Sequence, residues 1–157
     1  MNPLTASKTS REGPMQFDHF EIVGIAIEAG LSIMDVYDSS VQIEVQSKDD
    51  DSPLTKADIA AHKTIIRGLS TINPEVPVVS EEGRVGDPKK SELAWLVDPL
   101  DGTKEFIKRN GMFTVNIALM KRMGPQWKPI FGVVHAPVNR TTWFGGVDVP
   151  ATKITDA

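Results

Sequence analysis

Residues Leu93-Ala94-Trp95-Leu96-Val97 run without a break into Asp98-Pro99-Leu100-Asp101-Gly102-Thr103, and the arrangement of the chain hangs on this stretch. Five apolar residues in a row predict a central strand, buried on both faces. Pro99 and Gly102 force a turn, so a strand end delivers Asp98 and the chain brings Asp101 back beside it. Two carboxylates held that close repel one another unless a cation lies between them. Hard divalent ions such as Mg²⁺ take oxygen ligands, and the Leu100 carbonyl between the two acids is a further one. Gly102 permits a tight turn, and its N–H with that of Thr103 would point into the same space, as a phosphate requires. Taken alone, Asp-Pro-Leu-Asp-Gly is equally a good surface turn.

Two segments upstream shift that balance. Val76 to Val79 predicts a short buried strand ending at Ser80-Glu81-Glu82-Gly83. If it pairs in parallel with the Leu93–Val97 strand, Glu81 meets Asp98 and Asp101 at one edge of the sheet. Thr55 reads as a helix cap with Asp58 three residues on, heading a helix from Ala57 to Leu69 that Asn73-Pro74 ends. Asp58 there either offsets the helix dipole or polarises the Thr103 hydroxyl. Together these residues make a carboxylate cage with phosphate donors, the arrangement that two-metal phosphoryl chemistry requires. Ser80 has no base in the neighbouring sequence, so direct attack by an activated water is expected rather than a covalent intermediate.

Further out, a helix is expected from about Phe17 to Tyr37. Its polar stripe runs through Asp18, Glu21, Glu28, Ser32 and Asp35, and Phe20, Val23, Ile27, Leu31 and Met34 lie on the opposite side. Val41 to Gln46 alternates as a half-buried strand, an acidic turn spans Ser47 to Pro53, and a hydrophilic loop leads to Glu92. A helical turn at Lys104 to Lys108 precedes strands at Phe113–Met120, Pro129–His135 and Thr141–Phe144. The expected fold class is α+β, a layered α/β sandwich ending in hairpins or a meander.

Composition narrows the functional classes. With 157 residues, 40% of them hydrophobic and 24% charged, the chain has the material for one globular domain. Lys+Arg 17 against Asp+Glu 21 leaves a net charge of -4, which argues against a nucleic-acid partner. Cys is 0, excluding disulfides, thiolate metal sites and cysteine nucleophiles. No apolar run suits a membrane span or a signal peptide, so a cytoplasmic location is expected, at most with attachment to the cytoplasmic side of the inner membrane. Residues 1–15 read as a disordered polar tail, 16–147 as the domain and 148–157 as a second tail. His19, His62 and His135 are scattered without metal-ligand spacing. Lys104, Lys108 and Arg109 either attract a phosphorylated ligand or form a solvated helix face, and Lys48 is a minor candidate near the acidic groups.

The Asp98-Pro99-Leu100-Asp101-Gly102-Thr103 motif resembles the hallmark of the inositol monophosphatase-like superfamily of lithium-sensitive, magnesium-dependent phosphatases. The resemblance extends through Ser52 to Asp58, Pro77 to Glu82, Trp95 to Arg109 and Phe113 to Leu119, covering about Phe17 to Gly145. The Lys104-Glu105-Phe106-Ile107-Lys108-Arg109 extension is similar to the CysQ-type 3'(2'),5'-bisphosphate nucleotidase branch. The resemblance implies the inositol monophosphatase and sugar phosphatase sandwich, with helices packed on a largely antiparallel sheet.

It also implies roles for individual residues. Glu81, Asp98, the Leu100 carbonyl and Asp101 would hold two or three Mg²⁺ ions, with Asp98 bridging. Glu81, Leu100, Asp101, Gly102 and Thr103 would contact the substrate phosphate. Thr103, supported by Asp58, would orient the attacking water together with Glu81. The implied substrate is adenosine 3',5'-bisphosphate, a product of sulfate assimilation, and the implied products are AMP and phosphate. The alternatives are an inositol or sugar phosphate phosphatase of the same superfamily, or a non-catalytic fragment that keeps a weak metal site. Members of the superfamily are longer, and a second half supplies a further Asp from a Trp-Asp-x-Ala-type motif that this sequence lacks. Impaired activity and self-association through an exposed sheet edge are therefore expected.

Overall fold

The computed structural model describes residues 17–39, 42–49 and 53–156. The tail at 1–15, Val41 of the expected first strand and Asp50 to Ser52 of the acidic turn lie outside the described residues.

Helix α1 spans His19–Tyr37, with Asp18 as its N-cap; the Asp18 side chain accepts from Phe20 N at 2.9 Å. Its buried face differs from the expected one. Ile22, Val23, Ile25, Ala26, Ala29, Gly30 and Ile33 are buried, whereas Phe20 and Leu31 are 58% and 62% exposed. The reason is steric. The face that docks is the one with small residues, because Gly30 lies against the His135 ring, where a Cβ would come within 2.6 Å of it. Helix α2, Lys56–Ile72, packs beside α1 and begins at its N-cap Thr55. Two short strands between the helices, β1 (Val45–Ser47) and β2 (Pro53–Thr55), pair antiparallel. The half-buried strand expected at 41–46 is thus shifted to 45–47, and its residues are exposed. Period-two alternation marks a half-buried strand only where one face meets a core; here it is β2 that reaches the helices, through buried Thr55, while β1 lies on the outside.

The remaining strands form one seven-stranded sheet in the order β4-β3-β5-β6-β7-β8-β9. They are β3 (Val78–Ser80), β4 (Gly83–Val85), β5 (Leu93–Asp101), β6 (Thr114–Met123), β7 (Gln126–Ala136), β8 (Thr141–Gly146) and β9 (Val149–Thr155). Only the β3–β5 pair is parallel; every other pairing is antiparallel. A short helix α3, Thr103–Lys108, follows β5. The expected loop up to Glu92 contains β4 and a 3-10 turn at Pro88–Lys90. The expected tail at 148–157 contains β9, whose backbone completes hydrogen bonds that β8 would otherwise leave open.

Helices α1 and α2 cover one face of the sheet. Trp95, Val97, Val115, Ile117, Leu119, Phe131, Val133 and Phe144 point into that layer and are buried. The other face is open, and Leu96 is 49% exposed on it. The central strand is therefore buried on one face, not two as its unbroken apolar run suggested. The architecture is otherwise the expected α+β one, helices packed on a mostly antiparallel sheet.

Candidate active site

Because β3 and β5 run parallel, their C-terminal ends lie side by side, with Ser80 opposite Val97. Glu81 N donates to the Val97 carbonyl at 3.2 Å, which carries the alignment one residue past the strand. Glu81 and Asp98 therefore emerge at one corner. The pairing of β5 with β6 slips between Asp98 and Asp101, so the Asp-Pro-Leu-Asp segment bulges while still paired. Asp101 ends the strand, and Asn116 of β6 donates to its Oδ2 at 3.1 Å.

Asp98 is the electrostatic centre of this corner. Its Oδ1 is buried and has no hydrogen-bond partner. Burial, then the charge of and a hydrogen bond with Glu81, then the charge of Asp101, push its carboxyl from an ordinary 3.8 up to about 7. A backbone hydrogen bond at Leu100 opposes them. An orphaned carboxylate oxygen among like charges fits a cation, and three carboxylates with a carbonyl form an oxygen donor set suited to a hard one. Among the described residues no three acidic or imidazole groups already close on one point. The reasons lie in their other partners: Asp101 is held by Asn116, and Glu81 faces Lys48.

Lys48, beyond β1, reaches both acids after β3: its Nζ lies 2.5 Å from Glu82 Oε1 and 3.7 Å from Glu81 Oε2. Burial lowers the ammonium's pKa, but the hydrogen bond and charge of Glu82, with Glu81 and Asp58, outweigh it and hold the group above its ordinary value. Behind the corner, His62 Nδ1 lies 2.9 Å from Ser80 Oγ, and that oxygen accepts from Glu82 N at 3.3 Å. Ser80 thus has a histidine neighbour after all, supplied by α2 and invisible in the adjacent sequence. Burial lowers the His62 pKa, against the opposing charge of Glu82.

Asp58 is fully buried at the head of α2. Its Oδ2 accepts from Thr55 N at 2.9 Å and from Thr55 Oγ1 at 2.6 Å, while Oδ1 accepts from Thr103 Oγ1 at 3.0 Å. One side chain therefore caps α2 and fixes the first residue of α3. The Thr103 hydroxyl also lies 3.3 Å from the Leu100 carbonyl. Gly102 caps α3 at φ +98, and a Cβ there would stand 2.7 Å from the Met112 carbonyl oxygen. Every residue named from the sequence, Asp58, Glu81, Asp98, Leu100, Asp101, Gly102 and Thr103, falls in this one region. Asn116 was not named from the sequence, and Ser80 and His62 were set aside there, yet all three border this region. The one signal for Asn116 was a polar side chain interrupting an apolar strand.

A model of the inositol monophosphatase family matches residues 16–152. The 3'(2'),5'-bisphosphate nucleotidase CysQ of Salmonella typhimurium is 52% identical over 130 residues, which cover 79% of this chain and 50% of that protein. The protein of the same name from Escherichia coli K12 is 55% identical over 120 residues, 75% of this chain and 47% of its own length. Among solved structures, CysQ from Bacteroides thetaiotaomicron matches with a TM-score of 0.70 at 38% identity, over 87% of this chain and 48% of that one. The extragenic suppressor protein suhB from Bartonella henselae matches with a TM-score of 0.76 at 29% identity, over 86% and 51%. This chain spans about half the length of the curated relatives it matches. With the motif at the β5 bulge, the sandwich beneath it and these matches in agreement, the chain belongs to the inositol monophosphatase family.

Proposed function

We propose that the corner around Asp98 hydrolyses a phosphate monoester, and that the substrate is adenosine 3',5'-bisphosphate, cleaved at its 3'-phosphate to AMP and phosphate. The observation that carries the reading is the orphaned, buried Asp98 oxygen between Glu81 and Asp101, beside a threonine hydroxyl fixed by Asp58. The nucleotide follows from relatives named CysQ bisphosphate nucleotidases at 52% and 55% identity.

Glu81, Asp98, Asp101 and the Leu100 carbonyl would hold Mg²⁺, two or three ions in all. When bound, the ions supply positive charge to the phosphate and acidify a water. The chain's own residues do the rest. Asp58 takes up the hydrogen of the Thr103 hydroxyl, which leaves that oxygen able to accept; Thr103 with Glu81 would orient the water, and the Glu81 carboxylate would accept its proton. The backbone N–H groups of Gly102 and Thr103 bind phosphate oxygens. The water oxygen bonds to phosphorus, the bond from phosphorus to the 3'-oxygen breaks, and that oxygen takes a proton from solvent water, while the proton held by Glu81 returns to bulk. Lys104, Lys108 and Arg109 sit on and just after α3, where positive charge draws in a doubly phosphorylated ligand.

A cytoplasmic place of action suits the absence of cysteine and, among the described residues, of any helix long and apolar enough to cross a membrane. The deciding measurement is phosphate release from adenosine 3',5'-bisphosphate, inositol 1-phosphate and fructose 1,6-bisphosphate with Mg²⁺, with and without Li⁺. The expected result is lithium-sensitive turnover highest on the nucleotide and abolished by Asp98→Asn. Preference for inositol phosphate would move the substrate assignment within the family. No release from any of the three by a folded chain would overturn catalysis by this polypeptide.

A further inference from the structure

Asn116 stands opposite Asp98 in the pairing of β5 with β6, yet its amide reaches past the bulge and bonds to Asp101. Both ends of that amide are in use. Its Nδ2 donates to Asp101 Oδ2 at 3.1 Å, and its Oδ1 accepts from the Thr114 hydroxyl at 3.0 Å. Chemistry fixes the order of the two atoms, because an ionised carboxylate only accepts and the amide nitrogen must therefore face Asp101. Thr114 is itself the strand partner of Asp101, so the three residues close a small ring across the two strands. Among the described residues no hydrogen bond reaches Asp101 Oδ1. The two oxygens of this carboxylate are therefore unequal, one taken by a neutral donor and the other left for a ligand.

Divalent ions respond to that inequality differently. Mg²⁺ takes about six oxygens in a near-ideal octahedron, whose right angles do not fit the narrow bite of a chelating carboxylate. Ca²⁺ takes up to about eight oxygens in flexible geometry and accepts both oxygens of one carboxylate. We infer that Asn116 is a positioning residue that makes Asp101 a one-oxygen ligand, and that with Thr114 behind it Asn116 sets the preference of the corner for Mg²⁺ over Ca²⁺. The amide does this without adding charge, so Oδ2 is occupied and the ion is not repelled. Removing it frees Oδ2, which Ca²⁺ can use and Mg²⁺ cannot. The inference rests on the reading of the corner as a metal site and deepens it by naming the residue that discriminates between ions.

Displacement of Mn²⁺ from the purified full chain, followed by the electron paramagnetic resonance of the free ion, tests it with no substrate present. Mg²⁺ and Ca²⁺ compete in turn for the site, and the ratio of their affinities is read. Asn116→Ala is expected to weaken Mg²⁺ by about 10-fold, as loss of a residue behind a metal ligand does, and Ca²⁺ by less than about 3-fold. Thr114→Val lets the amide turn and is expected to move the ratio in the same direction. Thr114→Ser keeps the hydroxyl and is expected to hold the wild-type ratio. Circular dichroism checks the fold of each variant. A merely structural role would weaken both ions alike, so equal losses, or an unchanged ratio in Asn116→Ala or Thr114→Val, overturn the inference. Wild-type Mn²⁺ binding that is absent, or that survives Asp98→Asn, overturns the metal reading beneath it and the inference with it.

Discussion

Asp98 carries a proton that an ordinary aspartate has lost, and this makes the stability of the metal-free chain fall as pH rises. Its folded pKa of about 7 lies above the ordinary 3.8, so its contribution is fully present below pH 4 and lost as pH climbs towards 7. Asp98→Asn removes the charge that burial, Glu81 and Asp101 oppose. In EDTA at pH 8 it is expected to stabilise the chain by about 1–2 kcal/mol, the side chain being only partly buried. At pH 4 the gain should vanish, and urea unfolding at the two pH values checks this. Asp58 is held by three donors, Thr55 N, Thr55 Oγ1 and Thr103 Oγ1. Asp58→Ala leaves the Thr55 N–H and the Thr55 and Thr103 hydroxyls without their acceptor and should cost about 2–4 kcal/mol in the same experiment. Thr103→Ser keeps the hydroxyl and is expected to retain most of the turnover, whereas Thr103→Val should lose it; phosphate release compares the two.

At the scale of elements, the corner depends on how tightly the segment after β5 can turn into α3. Gly102 holds φ +98 and the Met112 carbonyl oxygen lies 2.7 Å from where a Cβ would stand, so a side chain there meets backbone. Gly102→Ala combines left-handed strain with that clash and should cost about 2–4 kcal/mol or unseat α3. Loss of protection at Phe106 N, which donates to the Gly102 carbonyl at 2.9 Å, would report the unseating by hydrogen exchange. Helix α3 is held from below by Phe106, whose ring packs against Tyr37 and Phe113 at centroid distances of 5.3 Å each. Arg109, in the left-handed conformation at the C-cap, donates to the Tyr37 carbonyl and lies over that ring. The end of α1 is thereby tied to the segment at the head of α3, which makes the position of α3 a property of three elements rather than one.

For the whole molecule, the asymmetry of the sheet sets where substitutions matter. Ile117 and Leu96 are both branched aliphatic residues on neighbouring central strands, yet one is buried beneath the helices and the other half-exposed on the open face. Ile117→Ala should cost about 2–5 kcal/mol, as cavities in packed cores do. Leu96→Ala, measured on the isolated monomer by the same urea titration, should fall below about 1 kcal/mol. Equal losses would mean that the open face is packed in solution. The layered order also accounts for the corner's charge: the carboxylates project from strand ends at the margin of the open face, where a cation and an anionic ligand can approach without crossing the core.

Much of this was legible in the sequence. Turn chemistry is local, so Gly102 and Asn73-Pro74 marked their bends and the Thr55–Asp58 spacing marked the head of α2, whereas at Pro99 the strand only bulges and runs on to Asp101. Asp98 and Asp101, spaced across one turn, carry their own electrostatic demand for a cation and could be named before any contact was visible, whereas Glu81 joined them only through the expectation of parallel neighbouring strands. Tertiary structure alone decided which face of α1 docks, because that depends on where Gly30 and the alanines can approach another element rather than on which side is more apolar. It decided that the Leu93–Val97 run is buried on one side only, since an apolar run does not say whether a second layer exists. It also decided that His62 supports Ser80, that Asn116 steadies Asp101 and that Lys48 answers Glu81 and Glu82. Hydrogen bonds between residues far apart in the chain leave no periodicity to read, and only the packed fold brings their partners within reach.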